Sequence, residues 1–257
     1  MEQANADTLK QAVAKVPAVT LVFWIIKIAC TTLGETGGDA VTMSMNLGYL
    51  VGTAIFAAVF VVSVAFQILA KRFHPALYWF TIIATTTVGT TLADFADRSL
   101  GIGYAGGSAL LLALLLASLG VWRLTLGSVD VNTVSTPKTE AFYWVTIMFS
   151  QTLGTALGDW TADTAGFGYT GAALLFGGLL AAIAAAYFWT KISRVLLFWA
   201  AFILTRPLGA VVGDFLDKPL DHGGLNLSRF AASGVLIAIV VAGILVFPQR
   251  AGRHPQA

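Results

Sequence analysis

The sequence predicts an all-α polytopic membrane protein, with eight transmembrane helices arranged as four two-helix repeats. Three observations carry this. First, 57% of the 257 residues are hydrophobic and only 11% are charged, whereas a soluble domain carries about 25% charged residues. The mean hydropathy is +0.81, so the bilayer is the expected solvent. Second, eight apolar segments approach the roughly 20 residues that a spanning helix needs. Third, a tryptophan is followed fifteen residues later by an aspartate four times: Trp24/Asp39, Trp79/Asp94, Trp144/Asp159 and Trp199/Asp214.

Residues 1–16 form an N-terminal interfacial segment. The first nineteen residues mix acids, amides and lysines, with no continuous apolar core and no cleavage pattern. They read as a short amphipathic helix on the membrane surface, not as a signal peptide. The spans fall at about 17–35, 47–70, 76–93, 103–124, 141–158, 167–190, 195–213 and 228–247. They divide the chain into repeats at 17–72, 73–125, 141–192 and 193–248. A connection at 126–140 separates two halves, and residues 249–257 form a tail. The tryptophans are offset by 55, 65 and 55 residues. Each unit contains an even number of spans, so the four units share one orientation. Parallel repeats of this kind are related by an axis along the membrane normal.

Charge sets the expected orientation. Lys10, Lys15, Lys71, Arg72, Arg123, Lys138, Lys191, Arg194, Arg250 and Arg253 lie at the termini or in the connections after even spans. The other side has only Arg98, Lys218 and Arg229. By the positive-inside rule both termini are cytoplasmic, and a bacterial inner membrane is the expected location. Cys30 is the only cysteine, so no intrachain disulfide is available.

Each repeat shares a finer frame. The segments TLGETGGD, TVGTTLAD, TLGTALGD and PLGAVVGD end in the four aspartates. Gly48-Tyr49, Gly103-Tyr104 and Gly168-Tyr169 follow in the first three units, while the fourth has Gly224 where the tyrosine falls. This layout resembles a bacterial integral membrane protein family built from four tandem two-helix repeats of unknown function, with a characteristic tryptophan in each repeat. The resemblance covers about residues 17–248. It implies the repeat count and the two-span unit, and it implies no activity.

With each tryptophan at position zero and 100° per residue, positions +3, +7, +10, +11, +14 and +15 share one helical face. That face carries the aspartates, Lys27 and Glu35. At +7 it carries Thr31, Thr86, Gln151 and Arg206. Positions +5 and +9 are apolar in all four units, as in Ala84/Val88 and Leu204/Leu208. The odd helices are therefore expected to form an inner layer and the even helices an outer one. The pairs Gly34/Gly38, Gly89/Ala93, Gly154/Gly158 and Gly209/Gly213 read as a close-packing seam, the main association device where lipid removes the hydrophobic drive. Trp122 and Trp189 read as interfacial belt residues.

An ionisable residue inside such a background is a functional-site hypothesis by default. Asp39, Asp94, Asp159 and Asp214 lie about 22 Å beyond their tryptophans at 1.5 Å per residue. They read either as helix ends bonded to turn amides or as converging carboxylates. In the second case they are metal-ligand candidates for a hard cation such as Mg²⁺, Ca²⁺ or Mn²⁺. Glu35, Lys27 and Arg206 extend this candidate binding set, together with Gln151, Thr31 and Thr86. An uncompensated charge near mid-membrane costs about 3 kcal/mol or more, so pairing is expected. Asp97, Arg98, Asp163, Asp217, Lys218, Asp221 and His222 read as a solvated loop cluster.

No nucleotide loop, zinc-protease motif or nucleophile–base arrangement is present, so neither an enzyme nor a nucleic-acid partner is expected. No covalent cofactor is expected, and the partners are the lipid bilayer and a small ion or solute. The leading functional expectation is a secondary transporter of a small cation, with divalent metals and proton exchange as suitable chemistries. Two alternatives stay open. One is a carrier of a small organic or zwitterionic solute, with Lys27 or Arg206 holding a carboxylate and the tryptophans forming a wall. The other is a non-transporting membrane scaffold or sensor.

Overall fold

The computed structural model describes residues 14–252. Eight long helices alternate in direction: α1 (Leu21–Asp39), α2 (Gly48–Leu69), α3 (Pro75–Asp94), α4 (Tyr104–Leu126), α5 (Pro137–Asp159), α6 (Gly168–Trp189), α7 (Arg194–Asp217) and α8 (Arg229–Val246). Local sequence sets several starts. The Thr20 hydroxyl accepts from the amide of Phe23 to cap α1. Pro75 occupies the first turn of α3, where a missing N–H costs nothing. Thr136 and Thr139 form a reciprocal capping box around Pro137 at the head of α5.

Six of the eight helices are long and apolar enough to cross a membrane; α1 and α5 fall short by composition. The shortfall has a physical cause in packing. Helix α1 carries Lys27, Glu35, Thr31, Thr32 and Thr36, and α5 carries Gln151, Ser150, Thr152 and Thr155, all buried. These side chains face protein instead of lipid, so hydropathy alone undervalues both helices.

The odd helices α1, α3, α5 and α7 form a closed ring in that order, α7 returning to α1. The even helices lie outside it. Only 11% of the most apolar stretch of α2, α4, α6 or α8 is buried, against 72% for α3 and 61% for α7. The expected inner and outer layers are therefore present. Each outer helix makes its long contact with the inner helix of the next unit: α2 on α3, α4 on α5, α6 on α7, and α8 back on α1.

In the first three units the chain leaves the inner helix through a π turn: Ala40–Ser44, Phe95–Ser99 and Trp160–Thr164. A glycine with positive φ then turns it into the outer helix, at Gly48 (76°), Gly103 (75°) and Gly168 (62°). Glycine reaches that region without the steric cost of a Cβ, which accounts for the Gly-Tyr element. Unit four has no π turn among its described residues; α7 runs on to Asp217 and a 3₁₀ turn follows at Leu220–His222.

At the tryptophan end, Trp79, Tyr78, Trp144, Tyr143, Trp199 and Phe198 pack into one aromatic cluster. The hydroxyls of Tyr78 and Tyr143 lie 2.6 Å apart at its centre. Trp122 belongs to this cluster and is fully buried against Phe142, Tyr143 and Trp199. Its assignment to the interfacial belt is thus corrected, because α4 turns that face towards α5. Trp189 is 85% exposed. Both described ends meet here, with Pro17 and Ala251 in an antiparallel bridge. Ala14–Thr20 is not helical, so this part of the expected surface helix is replaced by extended chain. The rest of that segment, with Lys10, lies outside the described residues, as does Arg253 in the tail. Lys15 anchors the strap: its Nζ donates to Glu140 Oε1 at 2.6 Å and to the Gln67 and Ile68 carbonyls at the end of α2.

Candidate functional site: a charged column inside the ring

The paired small residues make the ring, and they do so in a repeating pattern. A Cβ added at Gly34 would collide with Thr86, at Gly89 with Gln151, at Gly154 with Arg206, and at Gly209 with Thr31. Every +10 glycine therefore receives the +7 side chain of the next inner helix, and the fourth returns to the first. One turn later Gly38 faces Thr90, Gly158 faces Ala210 and Gly213 faces Glu35. The seam expected from the sequence is present, and it also directs the +7 and +11 side chains into the helix contacts.

At the +11 level the units carry Glu35, Thr90, Thr155 and Ala210. The small Ala210 leaves room that Arg206, one turn earlier on α7, fills. Arg206 is fully buried. Its Nη2 donates to Glu35 Oε2 at 2.9 Å, to Thr90 Oγ1 at 2.6 Å and to Thr155 Oγ1. The Thr90 hydroxyl also lies 3.3 Å from Glu35 Oε2. One guanidinium nitrogen thus joins all four inner helices. Arg206 Nε and Nη1 have no hydrogen-bond partner among the described residues.

The four aspartates form the next level, each 1–2% exposed. None caps its helix. Asp39, Asp94 and Asp159 keep right-handed helical backbone at the α-to-π junction and make no side-chain capping bond, which removes the helix-end reading. Two cations bridge them in pairs instead. Arg98 Nε lies 2.9 Å from Asp94 Oδ1, and its Nη2 donates to Asp159 Oδ2 at 3.3 Å. Lys218 Nζ donates to Asp39 Oδ2 at 2.7 Å and lies 3.0 Å from Asp214 Oδ1. Arg98 and Lys218 each follow an aspartate by four residues, in the second and fourth units. The bridges therefore relate by an approximate twofold and join units two to three and four to one.

The reading of a solvated loop cluster holds for Asp163, Asp221 and His222, which are exposed. It is corrected for Asp97, Asp217 and Lys218, which are buried; Arg98 is exposed, yet it reaches Asp94 and Asp159. The helical turn continues past each aspartate and folds these groups back over the ring. Asp217 pairs with Arg229 at 3.2 Å, and Arg229 also stands 3.8 Å from Asp39. Burial would lower the pKa of Lys218, but the Asp214, Asp39 and Asp217 carboxylates outweigh it and hold the pKa well above the ordinary lysine value.

Glu35, Asp39 and Asp214 each place one carboxylate oxygen within 4.8 Å of the other two, all three residues buried. The structure thus gathers a different carboxylate set from the four-aspartate ring expected from spacing. Asp94 and Asp159 form their own pair around Arg98, and Glu35 joins the other two.

Below the Glu35 level, Thr31 donates to the Ile28 carbonyl at 2.9 Å and lies 3.2 Å from the Thr205 carbonyl, which gives it a packing role. Thr86 and Gln151 are fully buried, yet Thr86 Oγ1 and both amide atoms of Gln151 lack partners among the described residues. Lys27 is fully buried; its Nζ donates to Thr205 Oγ1 at 2.8 Å and lies 3.8 Å over the Phe202 ring. Thr90 and Thr155 were missed from the sequence as members of the site. Their signal was the +11 register, read beside the single alanine of unit four.

No curated protein and no solved structure matches the chain significantly. A family profile does match, four times in tandem, at residues 22–73, 77–127, 142–193 and 197–251. The chain therefore belongs to the family described as Repeat of Unknown Function (DUF347), and its four repeats are the four inner–outer helix units of the ring.

Proposed function

We propose that the protein is a membrane carrier of a small cation, with its substrate site among Glu35, Asp39 and Asp214. The observation that carries this reading is the Lys218 ammonium seated on two of these three clustered carboxylates. A tethered cation there holds the place of a mobile one. An arriving cation would displace Lys218, and Lys218 would return as the ion leaves. Lys218 follows the last residue of α7 in extended backbone, so its side chain can swing aside without unwinding the ring.

Charge balance supports the class of substrate. Glu35, the four aspartates and Asp217 give six carboxylates, against Arg98, Arg206, Lys218 and Arg229. Two negative charges remain, which suits one divalent ion or two protons. Carboxylate oxygens favour hard cations such as Mg²⁺, Ca²⁺ or Mn²⁺. The Asp94–Arg98–Asp159 group would serve as a second, related station in the other half. With both termini cytoplasmic by the positive-inside rule, in a bacterial inner membrane, the aspartate end faces away from the cytoplasm.

The test is flux in proteoliposomes loaded with a fluorescent metal indicator. Mn²⁺ uptake by the parent protein, abolished in Asp39→Asn with Asp214→Asn, is the expected result. Unchanged uptake in that double variant overturns the assignment.

A further inference from the structure

We propose that the level of Lys27 and Arg206 is a binding site for a small organic monocarboxylate with an apolar body. The site lies on the tryptophan side of the Glu35–Arg206 contact. It stands independently of the cation reading.

The first support is a buried lysine with no carboxylate partner among the described residues. Lys15, Arg98, Arg206 and Lys218 each pair with a carboxylate. Lys27 is fully buried and is held by one hydroxyl and one aromatic face, with no carboxylate partner among the described residues. Burying an amine is costly unless its donors are used, and one hydroxyl and one ring face engage only part of what the Lys27 Nζ offers. Glu35, eight residues on, is about 12 Å away along α1 at 1.5 Å per residue and is engaged by Arg206.

The second support is a set of unused polar atoms at one register. Arg206 commits only Nη2, leaving Nε and Nη1 without partners. Gln151 and Thr86 occupy the same +7 position on the adjacent inner helices, fully buried, with their polar atoms unused. Buried polar groups in native proteins are satisfied, so these point to a molecule between the helices. Most of what they offer is donors: guanidinium N–H, amide N–H and hydroxyl, beside the Lys27 amine. That set suits a carboxylate and repels a cation.

The third support is a way in. A groove of about 580 Å³ lies between α1, α6 and α7 at the tryptophan end, walled by Trp24, Tyr187 and Phe198, and it reaches Thr205. Thr205 is the residue that accepts the Lys27 hydrogen bond. Asp130, Asn132 and Arg194 line part of the groove, and the rest of its wall is mostly apolar and aromatic, which matches a ligand with an apolar body and one anionic head.

The experiment uses the full-length protein in lipid nanodiscs and benzoate as the probe, read by its effect on the unfolding temperature. Benzyl alcohol supplies the same body without charge, and chloride supplies charge without the body. Benzoate is expected to raise the unfolding temperature saturably, with neither control doing so. Lys27→Met is expected to weaken benzoate binding at least tenfold. The variant keeps the length and packing of the side chain while removing a buried amine that has no carboxylate partner among the described residues, so it should unfold no earlier than the parent and the loss is read on folded protein. A shift by benzoate no larger than that by benzyl alcohol overturns the proposal, as does an equal shift by chloride or unchanged benzoate binding in Lys27→Met. Asp39→Asn with Asp214→Asn should leave the benzoate shift in place, which separates failure of this site from failure of the cation site.

Discussion

Lys218 and Asp39 stand 179 residues apart in the chain and 2.7 Å apart in space. The contact ties the last inner helix to the first, and Asp214, four residues before Lys218, shares the same ammonium at 3.0 Å. The consequence for binding is direct. Lys218→Met frees two carboxylates beside Glu35, so Mn²⁺ affinity measured by calorimetry should rise by about tenfold, equivalent to about 1.4 kcal/mol. The folded-state pKa of Lys218 is raised. Its stabilising contribution is thus fully present below the unfolded lysine pKa and is lost only as pH rises through the higher folded value. Urea unfolding of parent and Lys218→Met at mildly alkaline pH, still below the ordinary lysine pKa, should show the parent to be the more stable.

Arg206 and Glu35 make a buried pair at 2.9 Å with essentially no solvent access. Breaking such a pair from one side leaves a bare charge and costs about 3–5 kcal/mol. Glu35→Gln and Arg206→Gln should each lower the unfolding temperature strongly. The double variant should be less damaged than the sum of the two singles. Additive losses in a double-mutant cycle would show that the pair does not act as one unit.

The seam predicts opposite effects from one chemical change. Gly154→Ala drives a methyl into the Cβ and Cγ of Arg206, which cannot retreat without releasing Glu35. Overpacking of this kind costs about 1–3 kcal/mol. Gly177→Ala, on the outer helix α6, meets nothing within 4 Å and should stabilise by about 0.5–1 kcal/mol through helix propensity. Unfolding by denaturant in one detergent ranks all three proteins.

The Tyr78 and Tyr143 hydroxyls, 2.6 Å apart in the aromatic cluster, predict a smaller effect. Tyr78→Phe orphans the Tyr143 hydroxyl and should cost about 1–3 kcal/mol, whereas adding Tyr143→Phe removes the orphan and should recover much of it. The comparison needs only melting curves of the two single variants and the double.

How far the sequence could be read depends on what repeats. Trp24, Trp79, Trp144 and Trp199 recur with their glycines, so the four units, the inner and outer layers and the seam were legible from spacing alone. The partners of the aspartates were not. Arg98 and Lys218 occur in two units only and follow the last clear apolar residue, so they looked like loop charges. The π turns and the extended α7 fold them back over the ring, and no single-helix pattern encodes that return. The role of Thr90 and Thr155 was hidden in a similar way. Threonine is common on these helices, and these two matter only because Ala210 leaves the space through which Arg206 reaches them.

The last outer helix, α8, rests on the first inner helix, α1, and Pro17 pairs with Ala251 beside it. Among the described residues the helix contacts close into a circle, with the two described ends side by side. A circular permutant that links the chain across the Pro17–Ala251 bridge and opens the connection between α4 and α5 should therefore assemble the same ring. During synthesis the nascent chain must also hold α1, with its buried lysine and glutamate, until its final covering helix has left the ribosome.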